Sequence, residues 1–197
     1  MTEPPFPEAI VRRVWGHVPG LCRQLNKRSF ARGCAKTASS LPDETHHPEF
    51  ISATHYASLA FGTAPGNGLT GEVLVYAGTA REAVIAELNR REGWDSQRPM
   101  DTCGYLKTML DVHTDQGILP SVSYISNPKG IHHIVGLSPH DIAAILVRAT
   151  PNVPTPRACG IRYVTTVAQW LNQAGSPDTA LEHLVQVMQK NRKDDEK

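Results

Sequence analysis

The sequence predicts an α+β fold, a small barrel-like mixed β-sheet with packed helices, and three observations predict it. Strand-type segments such as "AIVRRVWGHV" and "TGEVLVY" crowd the first half of the chain. Helical patterns such as "SPHDIAAILVRAT" and "RYVTTVAQWLNQAG" fill the last third. Strands and helices do not alternate regularly, as a doubly wound sheet would require.

The elements follow in order. Residues 1–8 are proline-rich and form a lead-in. "AIVRRVWGHV" is rich in β-branched and aromatic residues and is expected as a strand. Pro19-Gly20 then marks a turn. "ATHYASLAFGTAPGNG" gives a strand followed by a Gly/Pro loop. "LTGEVLVYAG" gives the clearest strand, alternating after its glycine. "TAREAVIAELNRRE" gives the clearest helix. Thr79 is its expected N-cap, with Glu82 three residues on in capping-box spacing. Val84, Ile85 and Leu88 form its apolar side, and Gly93 is its stop. "GYLKTMLDVHT" and "LPSVSYISN" are two strands around a "DQG" turn. Ser138-Pro139 opens a second helix. A third helix ends at Gly175, and a fourth is expected to open with Ser176-Pro177. Residues 9–190 are expected as a single domain and 191–197, "NRKDDEK", as a solvated tail.

Composition narrows the function. The chain has 197 residues, 40% hydrophobic and 20% charged, with a net charge of +1. These values fit a globular protein and argue neither for nor against a polyanionic partner. No apolar run approaches the ~18 residues a membrane helix needs. The N-terminus lacks the basic and apolar regions of a signal peptide. The four cysteines are scattered without a CxxC pair. A cytoplasmic protein with reduced thiols is therefore expected.

Specific chemistry has few local signatures. His46-His47 and His132-His133 are adjacent pairs, and neighbours in an extended segment face opposite ways; no metal site is expected. Ser29 and Cys34 lie in a basic region, but no histidine stands beside them to make a nucleophile. "GTAPGNG" is not followed by a helix and is read as a plain loop. From Ala9 to Pro42 there is no Asp or Glu, yet Arg12, Arg13, Arg23, Lys27, Arg28, Arg32 and Lys36 are present. That stretch, 12–36, fits a strand with one solvated face, an anionic small-molecule site, or an RNA-binding face. Glu92 is the remaining candidate. As an ordinary surface charge it would pair with Arg91 or a nearby lysine. Yet an acid at a helix C-terminus opposes the dipole. A partly buried carboxylate there would have a raised pKa suited to general base work.

The order of these segments resembles the ChaC-like gamma-glutamylcyclotransferases. "TGEVLVYAGTAREAVIAELNRREGW" is similar to the family's strand and the helix that ends "Y-L-x-x-R-E". "LCRQLNKRSFARGCAKT" is similar to its arginine-rich strand and "R-S-x-x-x-R-G" element. "DTCGYLKTMLDVHTDQGILPSVSYISNP" matches the two strands that follow. "VGLSPHDIAAILVRATP" and "RYVTTVAQWLNQAGSPDTALEHL" resemble its later helices. The likeness runs from about Val11 to Met188. It implies a gamma-glutamylcyclotransferase-like domain and a cofactor-free lyase reaction. The substrate would be a small molecule, glutathione or another γ-glutamyl compound, split into 5-oxoproline and the remaining peptide. No membrane is involved, and a nucleic acid partner ranks below the small molecule. The resemblance places the catalytic glutamate on Glu92 and the late-helix tyrosine on Tyr163. Arg28, Ser29 and Arg32 become the expected substrate-binding residues, the arginines as partners for a carboxylate.

The chain departs from the family in two places. It contains no "Y-G-S-L" loop, and the segment that would carry it is expected immediately before Met1. Gly160 stands where "G-x-N-x-x-Y" has asparagine. A non-catalytic member that binds a γ-glutamyl peptide or protein is therefore the alternative reading, and an RNA-binding domain using 12–36 is the second.

Overall fold

The β-branched run after Ala9 folds as β1, Ile10–Val18, and turns through Pro19-Gly20 into β2, Leu21–Ser29. The structure, a computed structural model, describes residues 4–29, 58–149 and 160–195. The further elements are β3, Ser58–Pro65; β4, Leu69–Tyr76; α1, Arg81–Glu92; β5, Tyr105–Thr114; β6, Gly117–Ser126; α2, Pro139–Arg148; α3, Gly160–Gln173; and α4, Thr179–Asp195. One helix, α1, interrupts the strands after β4, and α2, α3 and α4 close the described chain, as the sequence predicts for an α+β chain.

Four strands form one sheet in the order β4-β1-β5-β6, and β2 pairs with β3 in a two-stranded sheet. In the larger sheet β1 runs antiparallel to both β4 and β5, and β5 runs antiparallel to β6. The β5–β6 register runs without slip from Tyr105 opposite Ser126 to Thr114 opposite Gly117. Pro120 lies opposite Asp111 in β6, the outermost strand on that side among the described residues. A proline has no N–H to give and fits an edge strand. A Cβ on Gly16 would stand 2.3 Å from Val112 Cγ1. Glycine at that point lets β1 and β5 close over a buried Val14 and Val112.

The chain divides into two compact units. The sheet unit comprises Thr2–Gln24 and Gly62–His133 and so holds the four-stranded sheet and α1. Its buried apolar side chains include Val14, Val84, Cys103 and Val112. The helical unit comprises Leu25–Phe61 and Ile134–Lys197. Its core comes from one face of each helix: Ala143 and Leu146 of α2, Val164, Ala168 and Leu171 of α3, and Leu184 and Met188 of α4. The spacing of three and four residues is the helical apolar stripe. Each fully buried leucine stabilises the folded chain by about 1.5–3 kcal/mol.

Three local expectations are corrected. Thr79 does not cap α1: Gly78–Ala80 form a 3-10 turn, and the N-cap is Ala80, without a side-chain hydrogen bond. The fourth helix does not open at Ser176-Pro177. It starts at Thr179, where Asp178 Oδ1 accepts from the Leu181 N–H at 3.1 Å, an N-cap contact. The same helix continues to Asp195, into the stretch expected to be a tail. Among the described residues, no helix is long and apolar enough to cross a membrane.

Candidate active site

Glu92 is the last residue of α1. Gly93 ends the helix in the left-handed region, φ 62°. Its N–H reaches back to Arg90 O at 3.4 Å, and the Trp94 N–H to Asn89 O at 2.8 Å. This is the C-terminal closure for which glycine is preferred. Glu92 is half-buried. Its carboxylate therefore lies where the helix carbonyls concentrate partial negative charge.

Two arginines precede it, and both engage Glu87. Arg90 donates twice to Glu87, Nε to Oε2 and Nη2 to Oε1, each at 2.7 Å. Arg91 Nε donates to Glu87 Oε1 at 2.8 Å. The Arg90 and Arg91 hydrogen bonds hold the Glu87 carboxyl down to about 2. This charge-assisted fork fixes one side of the last helical turns.

The other side of the turn faces the β5–β6 hairpin. Tyr124 of β6 donates its hydroxyl hydrogen to Asn89 Oδ1 at 2.6 Å. Asn89 stands one turn before Glu92, so both lie on one flank of the helix. Burial, and then the negative charge of Glu92, raise the Tyr124 phenol above its ordinary value. Lys107 of β5 is the register partner of Tyr124. Its Nζ sits 4.8 Å from the centre of the Trp94 ring, a cation–π contact two residues past Glu92.

Tyr76 ends β4 near the same turn. Its hydroxyl oxygen is buried and meets no hydrogen-bond partner among the described residues. Burial raises the phenol's pKa, while the charges of Arg13 and Arg91 pull the other way. Arg13 itself donates to Glu72 at 2.9 Å. The region thus offers a half-buried carboxylate among phenols and guanidiniums. That combination suits proton transfer and hydrogen-bonding to a polar substrate.

No family model and no curated protein matches the chain. Solved structures do. A selenomethionine-labelled gamma-glutamyl cyclotransferase specific to glutathione, from yeast, superposes with a TM-score of 0.68 at 13% identity, over 94% of this chain and 90% of that one. A second crystal structure of the yeast protein gives 0.63 at 13% identity, over 94% and 93%. The fold is gamma-glutamylcyclotransferase-like.

Within that fold the other sequence-nominated residues fall as follows. Tyr163 is in the first turn of α3 in the helical unit. Its hydroxyl oxygen accepts from the Phe61 N–H at 3.3 Å, and the two rings lie 4.9 Å apart. Ser29 ends β2, half-buried. The backbone of Arg28 is in β2, but its side chain, like all of Arg32, lies outside the described residues. Ser29 and Tyr163 belong to the helical unit and Glu92 to the sheet unit.

What the structure gathers around Glu92 is a set the sequence did not nominate: Asn89, Trp94, Lys107 and Tyr124. The spacing of three residues from Asn89 to Glu92 was a usable signal. The hairpin partners needed a register. In the basic stretch, Arg12 donates to Gln116, Arg13 to Glu72, and Arg23 to the Thr70 carbonyl at 3.0 Å. These cations bind the sheet's own acceptors. Among the described residues, no group of three His, Cys, Asp or Glu side chains is placed to hold a metal ion.

Proposed function

We propose that this protein is a glutathione-degrading gamma-glutamylcyclotransferase in which Glu92 moves the proton. The likeness over nearly the whole of both chains to a protein described as specific to glutathione carries the reading. The half-buried placement of Glu92 at the end of α1 supports it.

The reaction joins the α-amine of the γ-glutamyl group to its own γ-carbonyl carbon. The amine is mostly protonated at neutral pH and must lose a proton before it attacks. Glu92 accepts that proton. The new C–N bond closes a five-membered ring, and the amide bond to cysteine breaks. Glu92 then returns the proton to the leaving nitrogen; the second proton of the attacking amine, shed as the lactam forms, passes through the same carboxylate to the freed amine, which departs as an ammonium. The products are 5-oxoproline and cysteinylglycine, with no water consumed and no cofactor required. Because attack is intramolecular, holding the substrate in a folded conformer supplies much of the acceleration. Tyr163, Ser29, Arg28 and Arg32 are the proposed substrate contacts, the arginines for a carboxylate. A glutathione substrate fits a cytoplasmic setting.

The test is 5-oxoproline release from glutathione by the wild type and by Glu92→Gln. The glutamine variant is expected to lose at least about a hundredfold, the usual contribution of a positioned acid–base group. Release unaffected by the substitution removes Glu92 from the chemistry. No release from the wild type leaves a non-catalytic binding protein as the better reading.

A further inference from the structure

We propose that the cross-strand pair Lys107 and Tyr124 is a two-point clamp that positions the Glu92 carboxylate, through Trp94 on one side and Asn89 on the other. The proposal rests on the catalytic reading of Glu92 and assigns residues that reading does not include.

The argument is geometric. Glu92 lies between two anchors in the chain, Asn89 before it and Trp94 after it. Asn89 is fixed by the 2.6 Å hydrogen bond from Tyr124. Trp94 is fixed under the Lys107 ammonium at 4.8 Å. Lys107 and Tyr124 stand directly opposite each other on β5 and β6. Directly opposite residues share a face of the hairpin, with Cβ atoms ~5 Å apart. One rigid pair therefore holds both ends of the helix terminus that carries Glu92. Backbone bonds across Gly93 tie the same residues together, Trp94 N–H to Asn89 O at 2.8 Å. All five side chains are half-buried, so the contacts are sheltered from full solvent competition. A general base misplaced by ~1 Å loses about a hundredfold in rate, which gives such a clamp its value.

Among the described residues, the charged groups beside Tyr124 include Glu92 on α1 and its register partner Lys107 on β5. The electrostatic contact with Glu92 offers a readout that does not depend on turnover. With tyrosines labelled at the ring Cζ carbon, the Tyr124 resonance is assigned by its loss in Tyr124→Phe and titrated in wild type and Glu92→Gln. Removing the Glu92 charge is expected to move the Tyr124 titration downward. In the activity assay, Tyr124→Phe and Lys107→Met are each expected to lower kcat between about tenfold and a hundredfold. KM should stay within about twofold, because neither residue is among the proposed substrate contacts, and the acid limb of the kcat–pH profile should shift. Lys107→Arg is expected to restore kcat, since a guanidinium also stacks on tryptophan. Unchanged kcat in both variants overturns the clamp, as does a Tyr124 titration indifferent to Glu92→Gln. Loss of kcat only in proportion to lost folded protein, with an unmoved pH profile, also overturns it. Wild-type protein without turnover, but with the Tyr124 shift present, overturns the catalytic reading and leaves the contact between Tyr124 and Glu92 standing.

Discussion

Glu87 is the carboxylate that binds Arg90 and Arg91 near the end of α1. It accepts from two guanidiniums at once and is thereby held ionised down to about 2. The sign of the consequence is definite. A carboxylate with a depressed folded-state pKa stabilises the native state above its ordinary value near 4.5, and that contribution is lost as pH falls toward about 2. Thermal melts of wild type and Glu87→Gln should therefore differ most above pH ~5 and converge in acid. A difference that persists unchanged at low pH would show that the fork is not what Glu87 contributes. The pair is solvent-accessible, so added salt should also narrow the gap. Glu87 thus accepts from Arg90 and from Arg91 in the same helical turns.

Elements were legible where a local rule decides them. The start of α2 at Ser138-Pro139 is such a case, and there the structure shows a capping box. Ser138 Oγ accepts from the Asp141 N–H at 3.2 Å, and the Ser138 N–H donates to Asp141 Oδ2 at 3.0 Å. Ser138→Ala should lower stability by about 1 kcal/mol, read from the urea midpoint at unchanged slope. The same rule misled at Thr79. After β4 the Ala77 N–H is tied to Ala9 O at 2.9 Å, and Ala80 N–H closes a turn onto Ala77 O at 2.9 Å. Thr79 is used inside that turn, so the helix begins two residues later, at Arg81. The hairpin is an intermediate case. Once Asp115 and Gln116 are known to be its turn, every partner follows by counting back, including Lys107 opposite Tyr124. The "DQG" signal marked the turn but did not say which residues closed it. The neighbours of Glu92 were hidden for that reason, whereas Glu92 itself was nominated through the family resemblance.

At the largest scale, the order read from the sequence, strands broken by one helix and then a run of helices, is the order of the described elements. The division into a sheet unit and a helical unit was not foreseen, because both draw on the same strands: β2 and β3 each pass from one unit to the other. Periodicity describes a strand as one object and carries no record of where its contacts change allegiance. Pro120 acts at this scale as well. It breaks the row of donors along the outermost strand β6, leaving that rim a poor template for another strand. Pro120→Val should increase scattering from concentrated protein over time, and scattering equal to wild type would show the rim is guarded by something else. A second copy laid along that border would meet a gap in its ladder where Pro120 has no hydrogen to lend.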